Sequence, residues 1–308
     1  MRVRKRPFVL SHGINASCNL RCPFCEYWRN PGEEMSTDAI FGMLVEARDF
    51  GIGVYNAWTA EPLLRGDLPE ILHHAKGLGM ITSLITNGKL LSQRAHELED
   101  LDYLSVSVDG IESYKEIRGV ELGPVIEGIK AAQEMGHQVL MNCVISGKNL
   151  HELGDLVNLA KDLGALISFE PLNQSREIED AVWDDMGIQD WGAYRVALDG
   201  LIEMKRNGLP IINSLTYLRM VRDRDFSFRC HASDIVLHVA SDGTITNCRV
   251  QKEPLGHVSQ GLSKVWESSQ EKRKRIVSDC EGCLFFGYVE NSLLYDFRPE
   301  VLAHYEWM

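Results

Sequence analysis

Several things are scarce or missing in this sequence, and each absence closes off a class of protein. No apolar run approaches the ~20 residues that a membrane-spanning helix needs, so no membrane span is expected. Positive charge is short. The 32 Lys and Arg face 44 Asp and Glu, a net charge of −12, which argues against a large nucleic-acid footprint and leaves no nucleic acid among the expected partners. No repeat recurs at solenoid periods and no tract is of low complexity. The start, Met-Arg-Val-Arg-Lys-Arg-Pro, is basic but is followed by neither a long apolar stretch nor a small-residue cleavage site. It does not read as a signal peptide, and a cytoplasmic location is expected. Thiols stay reduced there, so the eight cysteines point to metal or catalysis rather than to disulfides. What remains is an ordinary globular composition, 44% hydrophobic and 25% charged over 308 residues.

From Pro7 to Glu170 short apolar runs alternate with helix-period segments, the pattern of βα units and a parallel sheet. Strands are expected at Phe8–Ile14, Val54–Thr59, Met80–Thr86, Tyr103–Val108, Gln138–Ile145 and Leu166–Phe169. Between them Leu68, Ile71, Leu72, Ala75 and Leu78 make one helix face, and Leu153, Leu156, Val157, Ala160 and Leu163 another. Alternation orients the strands. Ser105, Ser107 and Asp109 share one face, while Leu104, Val106 and Val108 take the other. A parallel strand covered by helices is apolar on the helix side, so the polar face should line a lumen. Ser168 and Glu170 repeat the theme, and Asn142 falls opposite Cys143, which places Asn142 in the lumen and Cys143 against the helices. Further on, Trp191, Tyr194, Leu198, Leu201 and Ile202 are spaced as the buried stripe of one amphipathic helix.

Cys18, Cys22 and Cys25 stand within eight residues, in the run Cys-Asn-Leu-Arg-Cys-Pro-Phe-Cys. Three thiolates on one loop can grip an iron–sulfur cube and leave one iron without a protein ligand, as catalytic metal sites keep a position open. Structural zinc is the alternative, but it wants four ligands, and no partner pair sits nearby at ribbon spacing. The spacing resembles that of the radical S-adenosylmethionine (SAM) superfamily, from about Pro7 to Glu170. The resemblance implies an α/β fold, a partial (β/α)6 TIM-like barrel whose cluster loop follows the first strand. It implies a [4Fe–4S] cluster whose open iron chelates SAM, reductive cleavage of SAM to a 5′-deoxyadenosyl radical, and an electron donor such as flavodoxin or ferredoxin. It also implies SAM contacts. Phe24 matches the aromatic position against the adenine. Thr59-Ala60-Glu61-Pro62 stands where the family usually has Gly-Gly-Glu-Pro, a segment whose backbone meets the amino group; Thr59 and Ala60 add side chains where glycine permits close approach. Ser107 and Asp109 match a Ser-x-Asp-Gly segment that touches the ribose or amino acid part, with Asn142 beside them in the lumen. Arg118 resembles an arginine suited to the SAM carboxylate. Thr86-Asn87-Gly88 reads as plain turn chemistry.

Cys230, Cys248, Cys280 and Cys283 form a second set. Ile235–Val239 and Thr244–Thr246 read as a hairpin about the turn Ser241-Asp242-Gly243, and Cys280-Glu-Gly-Cys283 follows a helix expected near Gly261–Ser269. A hairpin and a Cys-x-x-Cys pair enclose one metal centre with four thiolates, and from spacing alone zinc is an alternative. The order resembles the twitch module, the short form of the SPASM domain, and implies a second, fully ligated [4Fe–4S] cluster in a C-terminal β-hairpin/helix module. The expected division is a barrel core over 1–172, a helical connector over 173–229 and the auxiliary-cluster module over 230–308. In sulfatase-maturing relatives an aspartate at the place of His231 acts as base, so the resemblance makes His231 the candidate catalytic base, with Glu170, Asp234 and His238 behind it. The expected reaction is oxidation of a small-molecule substrate through the auxiliary cluster, favoured because no separate N-terminal peptide-binding domain is seen. The alternatives are peptide modification by thioether or carbon–carbon crosslinking, epimerisation with Cys143 returning a hydrogen, and a SAM-binding redox sensor.

Overall fold

The computed structural model describes residues 6–29, 31–174 and 177–302; the basic stretch over 1–5 lies outside the described residues. Six strands run through the first half of the chain: β1 (Val9–Gly13), β2 (Val54–Trp58), β3 (Ile81–Thr86), β4 (Tyr103–Ser107), β5 (Val139–Ile145) and β6 (Leu166–Pro171). Each pairs parallel with the next, as in a partial barrel. The returning helices bury one stripe each. Thr37–Phe50 is capped by Ser36, which accepts from the Ala39 N–H, and it buries Ile40, Met43, Leu44 and Ala47. Leu68–Gly77 buries Leu68, Ile71, Leu72 and Ala75, and Leu153–Asp162 buries Leu153, Leu156, Val157 and Ala160. Leu78 and Leu163 fall just past those helices and are partly buried against the same core.

The sheet does not stop at the barrel. β7 (Val236–Val239) pairs parallel with β1, then β8 (Thr244–Thr246) and β9 (Pro254–His257) continue antiparallel, giving nine strands in the order β6-β5-β4-β3-β2-β1-β7-β8-β9. The hairpin forms as expected, but the sheet runs straight across residue 230, where a domain boundary had been expected. An arc of strands leaves the backbone groups of β1 unpaired on one side, and β7 satisfies them. β9 gave no strand signal because Pro254 and Gly256 are poor strand residues; it is an edge strand, where a missing proline N–H is tolerated.

The other edge, β6, is covered by residues 210–213 from the expected connector. Ile167 N–H donates to Pro210 O and Ile212 N–H to Ile167 O. The buried Asn213 side chain then imitates a strand, accepting from Phe169 N–H at 2.8 Å and donating to Phe169 O at 3.0 Å. Helix Trp191–Arg206 precedes this stretch, burying Tyr194, Leu198, Leu201 and Ile202. Trp191 departs from the expected stripe: it sits in the first turn, 43% exposed, with the Arg224 guanidinium 4.4 Å from its ring centroid.

Closed parallel barrels fill their interior with large branched side chains. Here the inward positions carry Ser11, Asn56, Ser83, Ser105, Asn142 and Ser168, and the space they leave is a cavity of about 770 Å³. Asn56 Nδ2 donates to Ser83 Oγ at 2.9 Å and Ser168 Oγ to Asn142 Oδ1 at 2.6 Å, so the polar belt is internally bonded. Helix Phe286–Tyr295 lines the remaining side. It is docked by Phe286 N–H on Glu170 at 3.2 Å and by Ser214 N–H on Glu290 at 2.7 Å. Among the described residues no helix is long and apolar enough to cross a membrane. Asn213→Ala would leave both backbone groups of Phe169 unpaired and is expected to destabilise the protein by on the order of 2–4 kcal/mol in a denaturant titration; an unchanged midpoint would refute this role at the β6 edge.

Candidate active site

The first cysteine set lies on the loop leaving the C-terminal end of β1. The root of that loop is laced to the segment after β2. Asn15 N–H donates to Thr59 O, Ala60 N–H to Asn15 O and Glu61 N–H to Ser17 O. The three thiols stand close enough to influence one another electrostatically, and burial pushes all of them up, Cys25 to about 11. A metal group must therefore displace protons to bind. Donors are already aimed at the sulfurs: Leu20 N–H and Asn87 Nδ2 lie 3.4 and 3.7 Å from Cys18 Sγ, and Arg118 Nη1 lies 3.9 Å from Cys22 Sγ. N–H···S contacts of this kind favour thiolates and tune iron–sulfur potentials, so the residues present fit a three-thiolate cluster.

The expected SAM contacts gather around this loop, and two of them act differently from expectation. Glu61 is buried, and its carboxylate accepts from Leu63 N–H at 3.0 Å, Thr86 Oγ1–H at 2.6 Å and Asn87 N–H at 2.8 Å. Burial raises its pKa. The side chain is committed to the protein, and so are Thr59 O, Ala60 N–H, Glu61 N–H and Glu61 O of the segment's backbone. Thr59 takes φ +29, a region that favours glycine, so losing Gly-Gly has not removed the glycine-type conformation. Asp109 is also fully buried; it accepts from Arg118 Nε and, at 2.8 Å, from Val144 N–H. Its carboxylate thus holds Arg118 rather than meeting SAM directly. Gly110 is required beside it, since a Cβ there would come within 2.2 Å of Ser113 Oγ. The Arg118 guanidinium lies 5.3 Å over the Phe24 ring, which brings three expected residues together. Ser107 ends β4 in register with Asn142. Asn87, read from sequence as plain turn chemistry, instead supplies the amide at Cys18. Its only sequence signal is its place at the C-terminal end of β3.

Cys230, Cys248, Cys280 and Cys283 also draw together. Each of the other three sulfurs bears on Cys283, and burial pushes Cys230 up to about 11 and Cys283 to about 12. Gln251 N–H and Asn247 Nδ2 lie 3.2 and 3.6 Å from Cys248 Sγ, and Gly282 N–H and Gln251 Nε2 lie 3.4 and 3.6 Å from Cys280 Sγ. Ala232, Val250, Phe285 and Tyr288 form an apolar shell. Among the described residues no three His, Cys, Asp or Glu side chains converge as a single ion requires. A cube carries its ligands at separate corners, and the N–H···S donors suit it.

The cavity adjoins the second set through Arg249 and Phe285, and none of the first set's cysteines lines it. Asn142 lines it, while Cys143 is buried behind the strand beside Asn149, as alternation required. His231 does not line the cavity. Its N–H donates to Ser292 Oγ at 2.9 Å, its Nε2 lies 3.2 Å from Asp296 Oδ1 and its ring tilts over Tyr295. Residue 231 precedes β7, and its side chain is held by Asp296 and Tyr295 rather than at the cavity wall, which counts against it as a base acting there. Asp234 is likewise outside, near Arg273. Glu170 and His238, the secondary candidates, do line the cavity. Sequence reasoning missed Arg249, whose signal was its place directly after Cys248. Its guanidinium lies 3.6 Å over Trp58 and 4.7 Å over Phe285, and Trp58 meets Tyr27 edge-on at 5.3 Å. With the Lys252–Glu26 ion pair, this stack joins the two cysteine sets.

Residues 14–160 match the model of the Radical SAM superfamily. The chain carries a radical SAM domain. A probable GTP 3′,8-cyclase of Sulfolobus acidocaldarius is 34% identical over 177 residues, 53% of this chain and 56% of that protein. The GTP 3′,8-cyclase of Limosilactobacillus fermentum is 31% identical over 214 residues, 64% of this chain and 61% of its own. The matches thus span little more than half the length of these curated relatives. Among solved structures, Streptococcus suis SuiB bound to S-adenosylmethionine superposes with a TM-score of 0.69 at 18% identity, over 85% of this chain and 66% of that one. Native anSMEcpe with bound AdoMet gives 0.68 at 16% identity, over 96% and 98%. At such identity these two speak for the fold, and the fold is the radical SAM partial barrel.

If Asp109 works through Arg118, then Asp109→Ala and Arg118→Gln should each weaken SAM binding to the reconstituted radical SAM protein by about tenfold or more. The double variant should lose little beyond the worse single one. Equilibrium dialysis showing unchanged SAM affinity in both singles would remove this pair from the site.

Proposed function

We propose that this chain is a radical SAM enzyme of oxidoreductase type, holding two [4Fe–4S] clusters and oxidising an organic substrate inside the lumen. The observation that supports the reading is the gathering of two cysteine sets, each with its own N–H···S donors, joined by the Tyr27–Trp58–Arg249–Phe285 stack, of which Arg249 and Phe285 also line the cavity. When bound, SAM and the first cluster supply a 5′-deoxyadenosyl radical that takes a substrate hydrogen, and the auxiliary cluster takes up the electron that oxidation releases.

The protein's own residues do the rest. Cys18, Cys22 and Cys25 hold the first cluster; Asn87 and Arg118 orient it and the SAM amino acid group beside Phe24. Ser107 and the segment Thr59-Ala60 adjoin the same ligand. Cys230, Cys248, Cys280 and Cys283 hold the auxiliary cluster within electron-transfer reach of the lumen, because Arg249 and Phe285 adjoin both. Asn142, Ser168 and Glu170 offer polar contacts to substrate. Cys143 does not line the cavity, which counts against hydrogen return by that thiol and so against epimerisation.

Cyclisation of GTP, the reaction named for the curated relatives, is the second reading. It asks for a triphosphate site, whereas the cavity-lining cations are Arg249 and Arg298. Modification of a peptide is a third, since SuiB and anSMEcpe have both been solved with peptides.

Anaerobic reconstitution should give about eight irons with matching sulfide. Cys22→Ala should abolish 5′-deoxyadenosine release. Cys283→Ala should lose about four irons yet still cleave SAM, with product formation lost. Iron content and circular dichroism come first, because metal binding is coupled to folding in small cysteine-rich modules. If well-folded Cys283→Ala protein makes product at the wild-type rate, the auxiliary site is structural. Supplying GTP to the wild type should not couple SAM cleavage to a new product; a cyclised nucleotide would favour the second reading.

A further inference from the structure

Strands β1–β7 all run the same way, so the lining residues of each can be ordered from its N-terminal to its C-terminal side. That order is chemical as well as spatial. Val9 precedes Ser11, Val54 precedes Asn56 and Leu140 precedes Asn142. β4 changes from Tyr103 to Ser105 and β7 from Val236 to His238, while β6 contributes Ser168 and Glu170. β3 departs from the trend, since Ile85 returns after Ile81 and Ser83. Helix Phe286–Tyr295 runs the opposite way: Phe286 N–H meets Glu170, and Leu294 lies about 12 Å further along the helix. Phe297 and Leu302 continue the lining beyond it. The cavity is therefore polar toward the C-terminal ends of the strands, where the first cysteine loop leaves β1, and apolar toward the other end.

Two polar atoms at the first end stand free. Glu170 gives Oε2 to Phe286 N–H, and Asn142 gives Oδ1 to Ser168 Oγ–H at 2.6 Å. Glu170 Oε1 and Asn142 Nδ2 have no partner among the described residues, and neither is closed off from solvent. Adjacent strands of the wall thus offer one free acceptor and one free donor. The Arg249 guanidinium already bears on the Glu170 carboxyl group, so a neutral donor suffices there. A hydroxyl group both donates and accepts. At the far end Arg298 is exposed and its guanidinium stays in water, which leaves the apolar side chains as the wall. We propose that the lumen takes a neutral amphipathic alcohol, with its hydroxyl head at Glu170 and Asn142 and its apolar tail directed toward Val54, Ile81 and Leu294. This deepens the reading above and rests on the lumen being its substrate chamber.

The test is equilibrium dialysis of anaerobically reconstituted protein against butane-1,2-diol, hexane-1,2-diol and octane-1,2-diol, which share one head and differ in tail. Affinity should rise about tenfold at each step of two methylenes. Ile81→Asn and Val54→Asn, at the apolar end, should each cut that step to about threefold. Glu170→Gln keeps an oxygen for Phe286 N–H but replaces the free acceptor with a donor, so it should weaken all three diols by about the same tenfold factor and leave the step intact. Equal binding of the three diols by the wild type, or the full step retained by iron-loaded Ile81→Asn and Val54→Asn proteins, would each overturn the proposal. So would a Glu170→Gln protein that binds the diols as the wild type does. Should both apolar-end variants lose their iron, the wild-type series and Glu170→Gln still decide. Protein that ranks the diols as expected but releases no 5′-deoxyadenosine leaves this site standing and removes the function proposed above. The reverse pattern removes only the site.

Discussion

Pairing of β7 with β1 is the contact on which the arrangement depends. A six-strand arc has two open edges, and the parallel ladder from Val9↔Val236 to His12↔Val239 closes one of them with chain from the far end of the sequence. That ladder sets the register of the whole C-terminal hairpin. It turns His238 inward beside Ser11, brings Cys230 and Cys248 to the rim, and lets Arg249 stack on Trp58 of β2. Had β7 slipped by one residue, His238 would face outward and the polar wall would be lost. The C-terminal hairpin is therefore an extension of the barrel sheet, joined to it by the β1–β7 ladder.

The second constraint is what the strands leave out. Small polar side chains at the inward positions forgo the packing that usually fills a parallel barrel. The stabilisation lost inside is offset by the helices outside, whose stripes of Ile, Leu, Val and Ala bury against the outer faces. Donors near the cysteines and the cavity are costly to keep unpaired, and the protein restrains them through other residues: Asp109 holds Arg118, Glu61 holds the turn at Asn87, and Tyr288 meets His238.

The order and type of the barrel elements were legible in sequence because their signals are local. Alternation marked the cavity face at Ser105, helix-period stripes marked the outer layer, and cysteine spacing marked the two groups of thiols that the structure draws together. His231 was placed wrongly because adjacency to Cys230 says nothing about the direction in which the chain enters β7. Trp191 was read as buried because periodicity gives a face but not where its first turn meets solvent. Asn87 and Arg249 went unrecognised because an asparagine in a turn and an arginine after a cysteine have no local signature of function.

The sequence by itself determined where thiols cluster, which strands and helices of the barrel form, and which faces of them are apolar, since each of these depends on residues within a turn or two of one another. Only the tertiary structure decided that β7 joins β1, that Asp109 and Glu61 serve the site through other residues, and that Arg249, Trp58 and His238 share one wall. Those relations join positions as much as 227 residues apart, from Val9 to Val236, and they come from edge pairing and burial, which no local pattern encodes.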